Sequence, residues 1–244
     1  MKKHILLPAV LLIMAIIAAG CGNNADDAKE SASGPASETE TETETETETE
    51  TETETETEKD SMADPAALGV WEERVYKNEY FDFEMEVPEN YEIASKEDMA
   101  EVMGLTYDKE DEEDYQRALL MSRTVYITVI TDTDTGSNAV MGFENLAYSG
   151  VETDPEQYLE ETQKQLRERL EGMNIAPDDI QMSAVSEREF GEGKKYFVFD
   201  MTVKYNGADM FQEYICRQTG DYIFFIAVTG ADADAVNGIT DFIR

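Results

Sequence analysis

The chain has 244 residues and a formal net charge of −36, with 55 acidic against 19 basic side chains. A polyanion of that density repels nucleic acid and anionic lipid surfaces, so nucleic-acid binding is excluded and basic partners are favoured. The titratable nucleophile and metal-ligand set is equally narrow: one histidine, His4, and two cysteines, Cys21 and Cys216.

The N-terminus opens on Lys2 and Lys3, runs through an apolar stretch from Ile5 to Ala19, and reaches Gly20-Cys21 behind small residues. That is the layout of a secretory signal with its cleavage site. The stretch is about 15 residues long and Pro8 interrupts it, whereas a spanning helix needs roughly 20. Ala18-Ala19-Gly20-Cys21 resembles the lipobox of bacterial lipoproteins, departing from it at Ala18, where that family usually carries Leu. The resemblance implies that residues 1–20 are a signal peptide cut between Gly20 and Cys21. It also implies that Cys21 is diacylglyceryl-modified with fatty acids of the palmitate class. The chain is then extracytoplasmic and anchored to the membrane by lipid, and two or three acyl chains make such an anchor durable.

Residues 21–67 read as a disordered acidic tether. Glu and Thr alternate strictly from Glu38 to Glu58, and both faces of such a strand would be polar. No burial offsets the entropy of ordering it. Neighbouring glutamates lie roughly 7 Å apart in an extended chain, within the Debye length of about 8 Å, so they repel and expand the segment. Fully stretched, roughly 45 residues reach on the order of 150 Å.

Residues 68–244 carry −24 of the total charge and contain periodic elements throughout, so they are read as one globular domain. A strand near Trp71–Tyr76 is expected to pair, through Lys77-Asn78-Glu79, with the next one. In that strand Phe81, Phe83, Met85 and Val87 alternate with acids, giving one buried face. Ser95 with Asp98 forms a capping box for a short helix that presents Met99, Val102 and Met103 and stops at Gly104. The acidic run Asp108–Asp114 reads as a solvated loop, Leu119–Thr131 as a strand, and Met141–Tyr148 as the next. Asp154 and Pro155 open the clearest helix, with Tyr158, Leu159, Thr162, Leu166 and Leu170 on one stripe and Gly172 at its end. Strands follow at 180–190, 195–205, 208–217 and 222–229, with Asn206-Gly207 as a hairpin turn. Asp232 or Asp234 caps a last helix that presents Ala235, Val236, Ile239, Phe242 and Ile243.

Strands joined by short turns predict an α+β domain, a mainly antiparallel sheet covered by helices. The element order, with Phe83-x-Met85-x-Val87-Pro88-x-Asn90-Tyr91, resembles the PsbP/Mog1-like α/β/α sandwich. The resemblance covers residues 71–244 and implies a non-enzymatic domain that acts through protein contacts.

Chemistry narrows the choice further. Removal of the signal takes His4 with it, so mechanisms that rest on imidazole, and zinc sites built on it, are unsupported. Cys21 is consumed by lipid, leaving Cys216 single in an apolar strand, where it reads as a small buried hydrophobe. Asp132-x-Asp134-x-Gly136 resembles a calcium loop only superficially, since glycine stands at position five and Phe143 at position twelve. No phosphate-binding glycine loop is present, and no carboxylate pair stands out for hydrolysis. Tyr76, Tyr80, Tyr107, Tyr115 and Tyr148 are candidate contact residues. No cofactor or metal is expected. The sequence points to an envelope protein partner as the first reading. A small-ligand carrier or a carboxylate-dependent extracellular hydrolase is the second.

Overall fold

The structure, a computed structural model, describes residues 62–148, 154–191 and 193–242. The signal peptide, the cleavage point at Gly20-Cys21 and the Glu-Thr repeat lie outside the described residues.

Among the described residues, eleven strands form two antiparallel sheets. The small sheet comprises β1 (Val70–Glu72), β2 (Val75–Asn78) and β3 (Phe83–Glu86). The large sheet begins with β4 (Tyr91–Ile93), β5 (Thr124–Asp132) and β6 (Asn138–Asn145). It is completed by β7 (Ile180–Met182), β8 (Ser186–Phe190), β9 (Lys194–Tyr205), β10 (Ala208–Thr219) and β11 (Tyr222–Gly230). Its spatial order is β4-β5-β6-β11-β10-β9-β7, with β8 also on β9. Four helices are described: α1 (Lys96–Met103), α2 (Glu112–Leu120), α3 (Pro155–Gly172) and α4 (Ala233–Thr240).

The central strand β11 shows why two layers are needed. All nine of its residues are buried. Tyr222, Phe224, Ile226 and Val228 face one core, and Ile223, Phe225 and Ala227 face the other. Each fully buried aromatic or aliphatic side chain contributes about 1.5–3 kcal/mol, so both faces must be covered. Helix α3 covers the second face with Leu159, Leu166 and Leu170, joined by Met99 of α1. The first face is covered by the small sheet, by Tyr115 and Leu119 of α2, and by Val236 and Ile239 of α4. Phe81 stacks on Phe224 with ring centroids 4.9 Å apart, which locks the two sheets together.

Several sequence expectations hold. The Ser95/Asp98 capping box forms, Asp154 caps α3, and Asp232 caps α4. Asn206 and Gly207 both adopt positive φ, as a two-residue turn between twisted strands requires. Phe81, Phe83, Met85 and Val87 are all buried.

Others are corrected. The packed chain starts before the expected boundary at Leu68, because Ala63 and Ala67 are buried and the Ala63 N–H donates to Leu120 O at 2.8 Å. Small alanines in a polar stretch give little apolar signal, so residues 62–67 read as tether. Part of the acidic run is not a loop. Glu112, Glu113 and Asp114 form the first turn of α2, where the helix dipole favours negative charge. Leu119 and Leu120 therefore end a helix, and β5 starts only at Thr124. The strand expected over Trp71–Tyr76 is a hairpin, β1 and β2, turning at Glu73 with φ 55°. The strand expected over 141–148 begins at Asn138 and gives way to a 3-10 turn at Leu146–Tyr148. The one over 180–190 divides into β7 and β8. One face of the large sheet is covered by strands as well as by helices, unlike the all-helical covering expected.

Candidate functional site

The outer edge of β5 is where the sheet is incomplete. Strand β4 pairs with it only through Tyr91↔Asp132, Glu92↔Thr131 and Ile93↔Ile130. One more bond follows, from the Ala94 N–H to Val129 O at 2.8 Å. Ser95 then caps α1, and the start of that helix draws the chain away from the sheet. Thr124–Thr128 thus have no neighbouring strand on that side among the described residues. A β-bulge falls in the same stretch, between Tyr126 and Thr128. The extra residue shifts the alternation, so that Ile127 and Thr128 turn to the same side of the sheet.

A cleft of about 650 Å³ opens on this edge. Its floor is Tyr126, Ile127 and Thr128, and one wall is Leu68, Gly69, Val70 and Trp71. Tyr115 and Leu119 of α2 form a second wall, and Ile93, Ala94 and Met99 a third. The size and the mainly apolar lining are those of a recognition pocket. Val70 is 59% exposed at the lip, an unusual position for a β-branched apolar residue. Thr128 is buried, and its Oγ1 has no hydrogen-bond partner among the described residues. A buried hydroxyl in that state carries a desolvation cost. The rim is charged: Glu73 and Lys96 reach it, and Lys96 pairs with Glu112.

The walls are held by buried polar groups. Asn78 Nδ2 donates to Ala67 O at 2.9 Å and to Tyr76 Oη at 2.8 Å, and Tyr76 Oη donates to Leu68 O at 2.9 Å. Gly69 sits directly over this group with φ 62°, and a Cβ there would lie 2.4 Å from Tyr76 Oη. Arg74 ties β2 to the approach to β4 by donating to Val87 O at 2.8 Å and Tyr91 O at 2.7 Å.

Two carboxylates are buried elsewhere. Glu144 accepts from Arg123 Nε at 2.9 Å and Nη2 at 2.7 Å, and Tyr158 hydrogen-bonds it from α3. Burial pushes its pKa up, and Arg123 pulls it partly back. Glu213 pairs with Arg188, and burial raises its pKa too. By strand alternation these carboxylates lie on opposite faces of the large sheet and do not converge. A second cavity, about 390 Å³, is lined by Tyr80, Asp82, Lys195 and Arg217. Arg217 there donates to Asp82 O at 3.2 Å and stands 5.1 Å over the Tyr196 ring.

The remaining candidates fall as follows. Cys216 is buried, 3.5 Å from Pro155 O, and burial pushes its thiol pKa far up. Asp132 Oδ1 accepts from the Asp134 and Thr135 amides at 2.8 and 3.3 Å, which is turn chemistry. Among the described residues no group of three or more metal-ligating side chains occurs. No described helix is long and apolar enough to cross a membrane. Of the tyrosines expected at a contact surface, Tyr76 and Tyr115 are buried, Tyr115 in the cleft wall, and Tyr148 is exposed. Gly20 and Cys21 lie outside the described residues. The cleft itself was not legible in the sequence, because its walls come from four separate stretches of chain. The only local signal was Trp71, the chain's single tryptophan, beside an exposed valine.

No family model matches the chain. A search of curated proteins finds no relative.

Proposed function

We propose that the chain is a lipid-anchored protein of the cell envelope that displays a non-enzymatic binding module for a protein partner. The anchor is Cys21, the spacer is the Glu-Thr tether, and the contact site is the cleft on the β5 edge. One observation carries this reading: an apolar cleft of recognition size lies beside an unpaired strand edge. The lipobox-like Ala18-Ala19-Gly20-Cys21 supports the location, and the charge repulsion along the Glu-Thr repeat supports a role as spacer. The α+β architecture is compatible with a PsbP/Mog1-like sandwich, and we read the domain as a variant of it in which a small sheet shares the covering of one face.

The test is proximity labelling on intact cells with a labelling enzyme fused to the full chain, comparing the natural protein with Ile127→Arg. A charge on the cleft floor should remove one neighbour while the variant keeps its melting temperature and its membrane fractionation. An unchanged set of neighbours contradicts the reading. The mainly apolar lining of the cleft also favours a second reading, a small apolar ligand. Native mass spectrometry of the purified chain distinguishes it. A co-purifying small molecule that Ile127→Arg displaces supports the ligand reading over the protein one.

A further inference from the structure

We propose that the cleft takes an extended segment of a partner chain that adds as a strand to the outer edge of β5, its apolar side chains in the cleft and Lys or Arg residues flanking them. This rests on the protein-binding reading above and specifies its mode and chemistry.

The first argument is the character of the edge. Natural sheets blunt exposed edges with short strands, charges or proline, because unpaired N–H and C=O groups recruit other chains. The opposite edge of this sheet follows that rule: β7 has three residues, and β8 carries Glu187, Arg188 and Glu189. Strand β5 carries only the bulge between Tyr126 and Thr128. Thr124–Thr131 contains neither proline nor a charged residue, and its nine-residue strand is nearly all apolar or β-branched. The open part, Thr124–Thr128, spans roughly 16 Å at about 3.3 Å per residue, room for a segment of four or five residues. The bulge falls beside that edge and leaves Ile127 half-buried in the cleft floor, so a strand laid there meets the apolar walls. Main-chain bonds with side-chain pockets are the two halves of recognition by strand addition.

The second argument is charge, and it selects the occupant. Glu73 and Lys96 reach the cleft, Lys96 pairs with Glu112 and Lys77 with Glu72, and the start of α2 adds Asp111, Glu113 and Asp114, so the surroundings are acidic on balance. A second copy of the chain would bring a domain carrying −24 against this rim. The chain's own Glu-Thr repeat, although it alternates with the period of a strand, is equally anionic. Both are repelled. A segment bearing cations on either side of an apolar centre is the complement, and long-range attraction would also speed its encounter.

Trp71 lines the cleft and is the only tryptophan, so its emission reports occupancy in the full chain. The probe is a pool of synthetic nonapeptides with paired lysines at both ends and alternating Thr and Val, Ile, Leu or Phe between them. The expected result is a saturable blue shift of Trp71 emission. Glutamate-flanked peptides should bind at least about tenfold more weakly, and raising salt toward 1 M should weaken the lysine pool several-fold. N-methylation of the amides on one peptide edge, which removes main-chain donors without altering side chains, should weaken binding at least about tenfold. Hydrogen exchange at the outward amides of Thr124–Thr128 should slow on binding. Equal binding by the N-methylated pool, or unslowed exchange, overturns strand addition while a protein contact through the cleft still stands. Tighter binding by the glutamate-flanked pool overturns the assigned partner chemistry. No shift with any pool overturns the inference; an unchanged set of neighbours for Ile127→Arg in the labelling experiment is what overturns the underlying reading.

Discussion

Asn78 gives one amide hydrogen to Tyr76 Oη at 2.8 Å, and both side chains are buried. The pair fixes the cleft wall, because Asn78 also holds Ala67 O and Tyr76 holds Leu68 O, while Asn78 Oδ1 accepts from the Phe81 amide at 3.0 Å. Asn78→Ala leaves several of these groups unpaired in a dry site. The expected loss is about 3 kcal/mol of unfolding free energy. A urea titration followed by Trp71 fluorescence measures it, and a change under about 0.5 kcal/mol would show that the wall is held by other contacts.

Gly142→Ala tests how tightly the two strands flanking the bulge meet α3's side of the sheet. A Cβ at 142 would lie 2.3 Å from Val125 O and 2.6 Å from Phe225 Cζ. The backbone oxygen cannot swing aside as a side chain can, so β5 must shift. Overpacking of this kind costs about 1–3 kcal/mol, and because β5 is the cleft floor, Trp71 emission should change in the folded variant. Unchanged thermal stability would contradict the close approach.

Much of this fold was legible because local chemistry specified it. Asp154-Pro155, the Ser95/Asp98 box and Asn206-Gly207 each satisfy backbone groups within a few residues, so no distant contact is needed to read them. Helix α2 was hidden for the opposite reason. Its first turn is wholly acidic and looks like a solvated loop, and only burial of Tyr115, Leu119 and Leu120 against distant strands makes it a helix. Strand β4 is three residues long and carries no periodicity of its own. The cleft needed all of these at once, with residues near 70, 94, 116 and 127 converging on one edge.

Glu144 should make stability fall as pH rises. Burial raises its folded-state pKa above the ordinary carboxylate value, so the folded chain holds that proton more firmly than the unfolded one. The associated stabilisation is complete below the unfolded pKa and is lost as pH climbs through the folded one. Glu213 acts in the same direction. Glu144→Gln keeps the shape and an acceptor for Arg123 while removing the titration. Relative to that variant, the natural chain should lose stability as pH rises from 4 to neutrality. A parallel pair of pH profiles would contradict the assignment.

Cys216 should resist modification. Its burial and strongly raised pKa leave almost no thiolate at neutral pH. Iodoacetamide should label it only after denaturation, and rapid labelling of the native chain would show that α3 opens over the sheet.

Cys21→Ser should abolish acylation and move the protein out of the membrane fraction or leave it unprocessed. Retention in that fraction at the natural level would refute the lipid anchor.

The most direct test of the cleft as the contact site is photo-crosslinking on intact cells from two positions of the full chain. Gln116 is exposed at the cleft wall, and Tyr205 is 42% exposed at the β9–β10 hairpin. A discrete adduct to a single protein from position 116, absent from position 205, is the predicted result. The same adducts from both positions, or none from 116, would contradict it.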